Sequence, residues 1–416
     1  MPEAPARRPT LAGRWEGVLV LTLVIGIAYI DRINVALLIA DDAFLRAFGL
    51  AGDRVGQGRL MTLFLLGYGV SAWLLTPFLE ARWDVRRGLL ASLLAWTLLT
   101  GASALATAAA LLLAWRCLLG IAEGPLFSLK TMYVQARFAP DRVGKPNAVS
   151  SLGVSLGLGA GYPLVGLLLA RFGWRGAFWG LAALNLLLGV PLVLAFVRTG
   201  TALPARRRTG ALLGAALRTP HLPWLLLIEI CTLSYLWGAS TWLPSWLKAT
   251  HHLPPAATAA LSGLPFVIGI LATLAGGVLV DALPAALTPA LFVAGGLATA
   301  GSVTLAITAA DPAVAVAALL AAGACWGVQG PAIPTLVQRL AAPGTVGSVY
   351  GVVNGIGNLA AAFMPMLMGA AMSLRGGGER IGQGFWLLVG SQGLAALGGV
   401  MLLAVSVQPR RLRRAG

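Results

Sequence analysis

Apolar residues in this chain follow neither the two-residue period of a strand nor the one-sided stripe of a surface helix. They run in blocks of about 20, parted by short stretches that hold most of the charged residues. At 1.5 Å per residue, a helical block of that length crosses a hydrocarbon core of about 30 Å. Lipid offers no hydrogen bonds, so such a block has to pair its amides and carbonyls internally, as a helix does. The blocks predict twelve spans, at 17–40, 58–79, 88–107, 110–132, 148–170, 176–197, 222–247, 258–280, 288–309, 313–336, 347–373 and 384–407. The first reads as a span and not as a cleavable leader, because it contains Asp31-Arg32 and no small-residue cleavage site follows.

A break in this rhythm divides the chain. Residues 198–220 include Arg206-Arg207-Arg208 and separate six blocks from six. Either side carries a related segment: Val134-Gln135-Ala136-Arg137-Phe138-Ala139-Pro140 with Gly144 beyond, then Val337-Gln338-Arg339-Leu340-Ala341-Ala342-Pro343 with Gly347 beyond. Each copy lies between the fourth and fifth spans of its half. Repeated halves about a central path are a transporter signature, with the substrate site near mid-membrane. The expected fold is an all-α membrane protein of about twelve spans in two pseudo-symmetric six-helix bundles, residues 1–197 and 221–416, joined by a linker at 198–220.

Composition sharpens this. The 416 residues are 58% hydrophobic and 11% charged, against about 25% charged in soluble domains. Mean hydropathy is +0.84. The net charge of +16 does not point to nucleic acid, because the basic residues form clusters between apolar blocks. With both termini placed in the cytoplasm, twenty of the 30 basic residues fall on that side, including those from Lys130 to Lys145. That is the bias of a multi-pass protein of the bacterial inner membrane. Cys117, Cys231 and Cys325 are scattered through apolar blocks and give neither a disulfide framework nor a metal set. His221, His251 and His252 sit at span edges or in loops, no nucleophile–base pair is visible, and no enzyme or metal site is expected.

The chemistry therefore rests on charges inside the spans: Asp31, Arg32, Arg116, Glu123 and Glu229. A charge at the bilayer centre costs about 2.5–3.5 kcal/mol on insertion scales, so such groups face the interior and pair there or bind cargo. Clamping helices together is one use for them. Arg116 and Glu123, seven residues apart, share a helix face about 10 Å apart along the axis. Asp31 and Arg32 point about 100° apart. The expected arrangement pairs Asp31 with Arg116 and leaves Arg32, whose forked donors fit a carboxylate, for an anionic ligand. An acid whose arginine partner comes and goes can take up and release a proton. Asp31 and Glu123 are the two candidates. Glu229, near a span end, suits a gate or an interfacial contact at least as well.

At these residues the chain resembles the major facilitator superfamily and, within it, the anion:cation symporter family. The resemblance rests on Tyr29-Ile30-Asp31-Arg32-Ile33-Asn34, Arg116-Cys117-Leu118-Leu119-Gly120-Ile121-Ala122-Glu123-Gly124, Thr241-Trp242-Leu243-Pro244-Ser245-Trp246-Leu247 and Gly351-Val352-Val353-Asn354-Gly355-Ile356-Gly357-Asn358. It implies proton-coupled, in some members sodium-coupled, uptake of organic anions by alternating access. Asp31 and Glu123 would bind protons, Arg116 would engage Asp31, and Arg32 would hold the substrate carboxylate. Tyr29, Tyr68 and Asn354 would line the cavity. Gln329, beside Pro331, is a further lining candidate, and Trp237, Trp242 and Trp326 could line or pack. The superfamily's glycine–x–leucine–x–aspartate–arginine loop motif is altered to Pro77-Phe78-Leu79-Glu80-Ala81-Arg82, with Glu80 a possible substitute acid. Its echo, Gly277-Val278-Leu279-Val280-Asp281, is closer to the pattern. Gating is thus implied for Arg82 and Asp281. Val154 stands where galactonate-type members carry a glutamine, which favours a smaller or more apolar carboxylate. No cofactor is implied beyond the proton, and the chain is expected to act as a monomer. The alternative is a proton-driven antiporter exporting an organic acid or drug.

Overall fold

The computed structural model describes residues 11–139, 142–197, 209–251, 253–373 and 378–412. Among them every regular element is helical. Arg206, Arg207, Arg208 and His252 lie outside the described residues.

Ten helical stretches are long and apolar enough to cross a membrane. The longest, Gly144–Phe196, has 53 residues, about twice what a bilayer needs. It breaks at Gly173, whose φ of 65° and ψ of −177° suit glycine alone. Beyond the break, Gly180 lies against Leu168, so the chain doubles back and makes the fifth and sixth spans. Val85–Ser103, 19 residues long, is the third. The others are Arg14–Leu38 (first), Arg54–Arg82 (second), Ala109–Arg137 (fourth), Leu222–Thr250 (seventh), Pro255–Ala282 (eighth), Ala285–Thr308 (ninth), Pro312–Leu340 (tenth), Val346–Ser373 (eleventh) and Ile381–Val405 (twelfth). That makes about twelve spans in two six-helix bundles, the fold expected from the apolar blocks. The surface they present is oily: Leu98, Leu187 and Leu271 are each more than 70% exposed, as lipid-facing side chains should be.

The fourth and tenth spans share a local device. The fourth stops at Glu123 and resumes at Leu126, across Gly124-Pro125. The tenth stops at Gln329 and resumes at Ala332, across Gly330-Pro331. Proline lacks the amide that the preceding turn needs, so each helix jogs there. Each jog comes immediately after a buried polar side chain, Glu123 in one half and Gln329 in the other.

Small residues set the approach of the first and fifth spans. A Cβ on Gly153 would stand 2.3 Å from Thr22 O, and one on Gly157 would stand 2.4 Å from Gly26 O. Because the obstacle is backbone, it cannot swing aside. Gly157→Val should lower the unfolding midpoint of the purified protein clearly, since overpacking costs about 1–3 kcal/mol or more. A midpoint equal to wild type would show that these helices are free to separate. Trp174, just beyond the break at Gly173, is buried against Phe44, Phe48 and Phe178.

The bundles touch at both ends. At one end, spans two, four and eleven meet, and the short helix Thr209–Leu217 packs on the second and eleventh; this is the linker end. At the other, Lys248 Nζ donates to Ala40 O at 3.0 Å, and Gly369 packs so closely that a Cβ would lie 2.7 Å from Arg54 O.

Candidate functional site

Between the bundles lies a cavity of about 90 Å³, room for a few waters. The first span brings Tyr29 and Arg32 to it, one helical turn apart, and the second brings Tyr68. Arg32 is 1% exposed and sits in an aromatic box. Its Cζ lies 4.5 Å from the Tyr29 ring centroid, 4.7 Å from Tyr68, 5.6 Å from Phe64 and Trp237, and 6.0 Å from Phe127. Desolvated cation–π contacts are worth about 2 kcal/mol or more each at best. Trp237 comes from the other half and stacks on Tyr29 at 5.7 Å, so both bundles hold this one cation.

Arg32 is not left alone, as the expected arrangement had it. Its Nε donates to Glu123 Oε2 at 2.7 Å. The fork is only partly used, because Arg32 Nη2 and Glu123 Oε1 have no partner among the described residues. Nor do Asp31 and Arg116 form the expected pair. Asp31 Oδ2 accepts from Asn185 Nδ2 at 2.5 Å and from Thr100 Oγ1 at 3.3 Å. Arg116 has no acceptor on any of its three nitrogens among the described residues and stacks over Phe64 at 4.9 Å. The reason is rotational. The residue next to Asp31 on the helix turns toward the fourth span and meets Glu123, while Asp31 itself turns toward the third and sixth. Asn185 opens a π-helical turn, Asn185–Gly189, a distortion that often marks functional positions.

The second half supplies Glu229, Gln329, Asn354 and Asn358 to the lining. Glu229 is therefore a cavity residue and not an interfacial one, and its Oε1 accepts from Asn354 Nδ2 at 3.1 Å. Trp237 and Trp326 line the cavity. Trp242 does not: its Nε1 donates to Pro365 O at 2.8 Å on the eleventh span.

At the linker end the halves are latched by two carboxylates. Glu80, ending the second span, accepts from the amides of Gly347 at 3.2 Å and Ser348 at 2.8 Å and from the Ser348 hydroxyl. Asp281, ending the eighth span, accepts from the amide of Lys145 at 3.2 Å. Each carboxylate caps the first turn of a span in the opposite half, where free amides and the helix dipole favour negative charge. The repeated glycines make room. A Cβ on Gly144 would lie 2.1 Å from Asp281 Oδ1, and one on Gly347 would lie 2.8 Å from Glu80 Oε1. Arg82, to which gating was assigned, is exposed and folds back over Phe78 at 4.2 Å. The latch uses the acid two residues earlier, because Glu80 faces the partner bundle. Asn147 Nδ2 also donates to Gln338 Oε1 at 2.5 Å across the halves.

A family model described as Major Facilitator Superfamily matches residues 21–365. The chain belongs to the Major Facilitator Superfamily. That superfamily is one of transporters and not of enzymes. Curated superfamily relatives include the "Probable sulfoacetate transporter SauU" of Cupriavidus necator, 27% identical over 280 residues, or 63% of this chain and 64% of that one. The "Hexuronate transporter" of Bacillus subtilis is 26% identical over 278 residues, 64% of each chain. The chain thus spans somewhat under two thirds of the length of both. The "Probable galactarate/D-glucarate transporter GudP" of Bacillus subtilis is 25% identical over 441 residues, covering 96% of this chain and 93% of the relative. Among solved structures, the human organic anion transporter MFSD10 superposes with a TM-score of 0.72 at 19% identity, covering 96% of this chain and 100% of that one. This likeness is one of fold.

Two elements of this superfamily site escaped sequence reasoning. Asn185 is the one amide in an otherwise apolar sixth span, a signal that was there to be read. Lys130 was assigned to the cytoplasmic basic cluster. It is instead fully buried, with Nζ lacking an acceptor and lying 5.7 Å from the Phe127 ring and 5.8 Å from Tyr350. Its signal is spacing: Arg116, Glu123 and Lys130 recur every seven residues, two helical turns, and so share one face.

Proposed function

We propose that this protein is a proton-coupled symporter that carries a small organic anion across the bacterial inner membrane by alternating access, with both termini cytoplasmic. The observation that carries the reading is Arg32: a guanidinium on the cavity between the halves, bonded through Nε to one oxygen of Glu123, with Nη2 unpaired. A cargo carboxylate can compete for that fork. A proton arriving on Glu123 weakens the internal bond and turns Arg32 toward the cargo; its departure returns Arg32 to Glu123 and expels the cargo. Asp31, next to Arg32 in the chain, and Arg116, two helical turns from Glu123, supply a second acid and a second cation for the same exchange. The named substrates of the curated relatives (sulfoacetate, hexuronate, galactarate and glucarate) are all organic acids, which supports an anionic cargo. The orientation rests on the basic residues Arg86, Arg87, Arg137, Lys145 and Arg218 at the linker end.

Energetics favour coupling. Against about 100 mV, importing a monoanion costs about 2.3 kcal/mol. One proton cancels that cost, and each pH unit adds about 1.4 kcal/mol of drive. In proteoliposomes, external acidification should drive accumulation of a radiolabelled carboxylate. Asp31→Asn should abolish that accumulation while leaving exchange of labelled for unlabelled cargo intact. Undiminished accumulation in a folded Asp31→Asn protein would refute the coupling assignment. Outward movement of the acid under the same gradient would favour the exporter.

A further inference from the structure

The cavity lining carries two formal charges, Arg32 from the first half and Glu229 from the second. The same wall as Glu229 carries two acceptor oxygens without partners among the described residues. The Asn354 amide spends its Nδ2 on Glu229 Oε1 at 3.1 Å, which fixes its orientation and leaves Oδ1 without a partner. Gln329 spends its Nε2 on Cys325 O at 3.3 Å and leaves Oε1 likewise. Asn358 is occupied on both atoms, accepting from Trp237 Nε1 at 2.8 Å and donating to Asn354 O at 2.8 Å. Asn354 is 5% exposed and Gln329 2%, so these oxygens are sunk in the protein. An ionised carboxylate only accepts hydrogen bonds, and Glu229 has no ion-pair partner within 4.0 Å among the described residues. Lys130 lies behind Phe127 and Tyr350. It supplies positive charge nearby without using up the lone pairs of Glu229.

Buried polar groups in folded proteins are paired almost without exception, with protein, water or ligand, so this wall suits a cargo that brings a donor. A hydroxyl would serve the amide oxygens but leave Glu229 without an ion-pair partner in a low-dielectric space. An ammonium carries both the donors and the charge, and the rings of Trp237, Trp326 and Tyr350 around it suit a cation. Resting on the carboxylate reading above, we infer that the cargo is an amino-substituted carboxylate, its acid held by Arg32 and its protonated amine by Glu229, Asn354 and Gln329. Such a cargo ties one half to the other through its own two ends.

The test uses the full-length protein in proteoliposomes and three matched series of three to six carbons: ω-amino acids, ω-hydroxy acids and unsubstituted acids, with the dicarboxylates alongside. Binding is read as thermal stabilisation and as inhibition of uptake. At the best length, the amino acid should bind at least tenfold more tightly than its hydroxy and unsubstituted counterparts. In Glu229→Gln, which keeps the shape and the bond to Asn354, that ratio should fall to within about twofold. Equal or tighter binding of the hydroxy acid, or of a dicarboxylate, in wild type overturns the inference and leaves the carboxylate reading standing. No response to any of the acids overturns both. The wild-type ratios decide the matter even if the variant does not fold.

Discussion

Arg32→Gln should abolish carboxylate uptake and also destabilise the protein, and Glu123→Gln added to it should restore the stability without restoring uptake. The single change leaves Glu123 as an unpaired charge in a fully buried position, and breaking a buried pair in this way costs about 3–5 kcal/mol. Removing the second partner takes away the orphaned charge, so most of that penalty should vanish. Transport behaves differently. The guanidinium is what the cargo binds, and a charge-assisted pair of hydrogen bonds lost from a desolvated site costs about 2–5 kcal/mol, or roughly 30- to 4,000-fold in affinity. Arg32→Lys should also fail, because an ammonium cannot reproduce the forked donors or the stacking in the ring box. Unfolding midpoints and uptake of wild type, Arg32→Gln, Glu123→Gln and the doubly substituted protein form a double-mutant cycle. If the doubly substituted protein regained uptake along with stability, the pair would be a clamp, and the cargo would bind elsewhere.

Glu80→Gln combined with Asp281→Asn should swing the linker end open. Each substitution keeps a hydrogen-bonding side chain but removes the negative charge from the amides of a helix start. A bond to a charged group contributes about 1.5–3 kcal/mol, and the helix dipole contributes about 0.3–1 kcal/mol. Losing even 1.4 kcal/mol of latch shifts the open-to-closed ratio tenfold, and losing two latches compounds it. A thiol reagent applied from the linker side should then label a cysteine placed at Ser151, on the cavity wall, at least tenfold faster than in the parent protein. Gly144→Ala should do the same from the other partner, since its Cβ would displace the Asp281 carboxylate. Unchanged labelling in all of these would mean that the closed state is held by apolar packing between the bundles, and that the two carboxylates are bystanders.

These expectations differ in where they came from. Apolar blocks of bilayer length are a one-dimensional signal, because the membrane imposes one length on every span. The helix count, the division into halves and the repeat around Gly144 and Gly347 could therefore be read along the chain. So could the depth at which Asp31, Arg32, Arg116 and Glu123 lie, since charge in oil is rare enough to stand out. Of these four only Arg32 lines the cavity, and Glu123 reaches it through its bond to Arg32.

Partnership did not follow. Asp31 and Arg32 are neighbours in the chain, and a helix rotation of some tens of degrees decides which of them meets Glu123. That rotation is set by Gly153 and Gly157 locking the first span to the fifth, a contact across more than 100 residues. The acid that latches the second span, Glu80 in place of a residue nearer Arg82, is likewise a matter of which side faces the other bundle. Lys130 counted with the cytoplasmic charges because it lies near the end of its span, yet it is fully buried.

The sequence by itself determined that this chain crosses a bilayer about twelve times in two related halves and keeps a few ionisable groups in the oil. Only the tertiary structure decided that Arg32 binds Glu123, that Asp31 turns to Asn185, and that Glu229 faces a wall of open acceptors. The reason is dimensional: length and polarity are properties of each segment, whereas pairing depends on how helices are rotated and packed against segments far away in the chain.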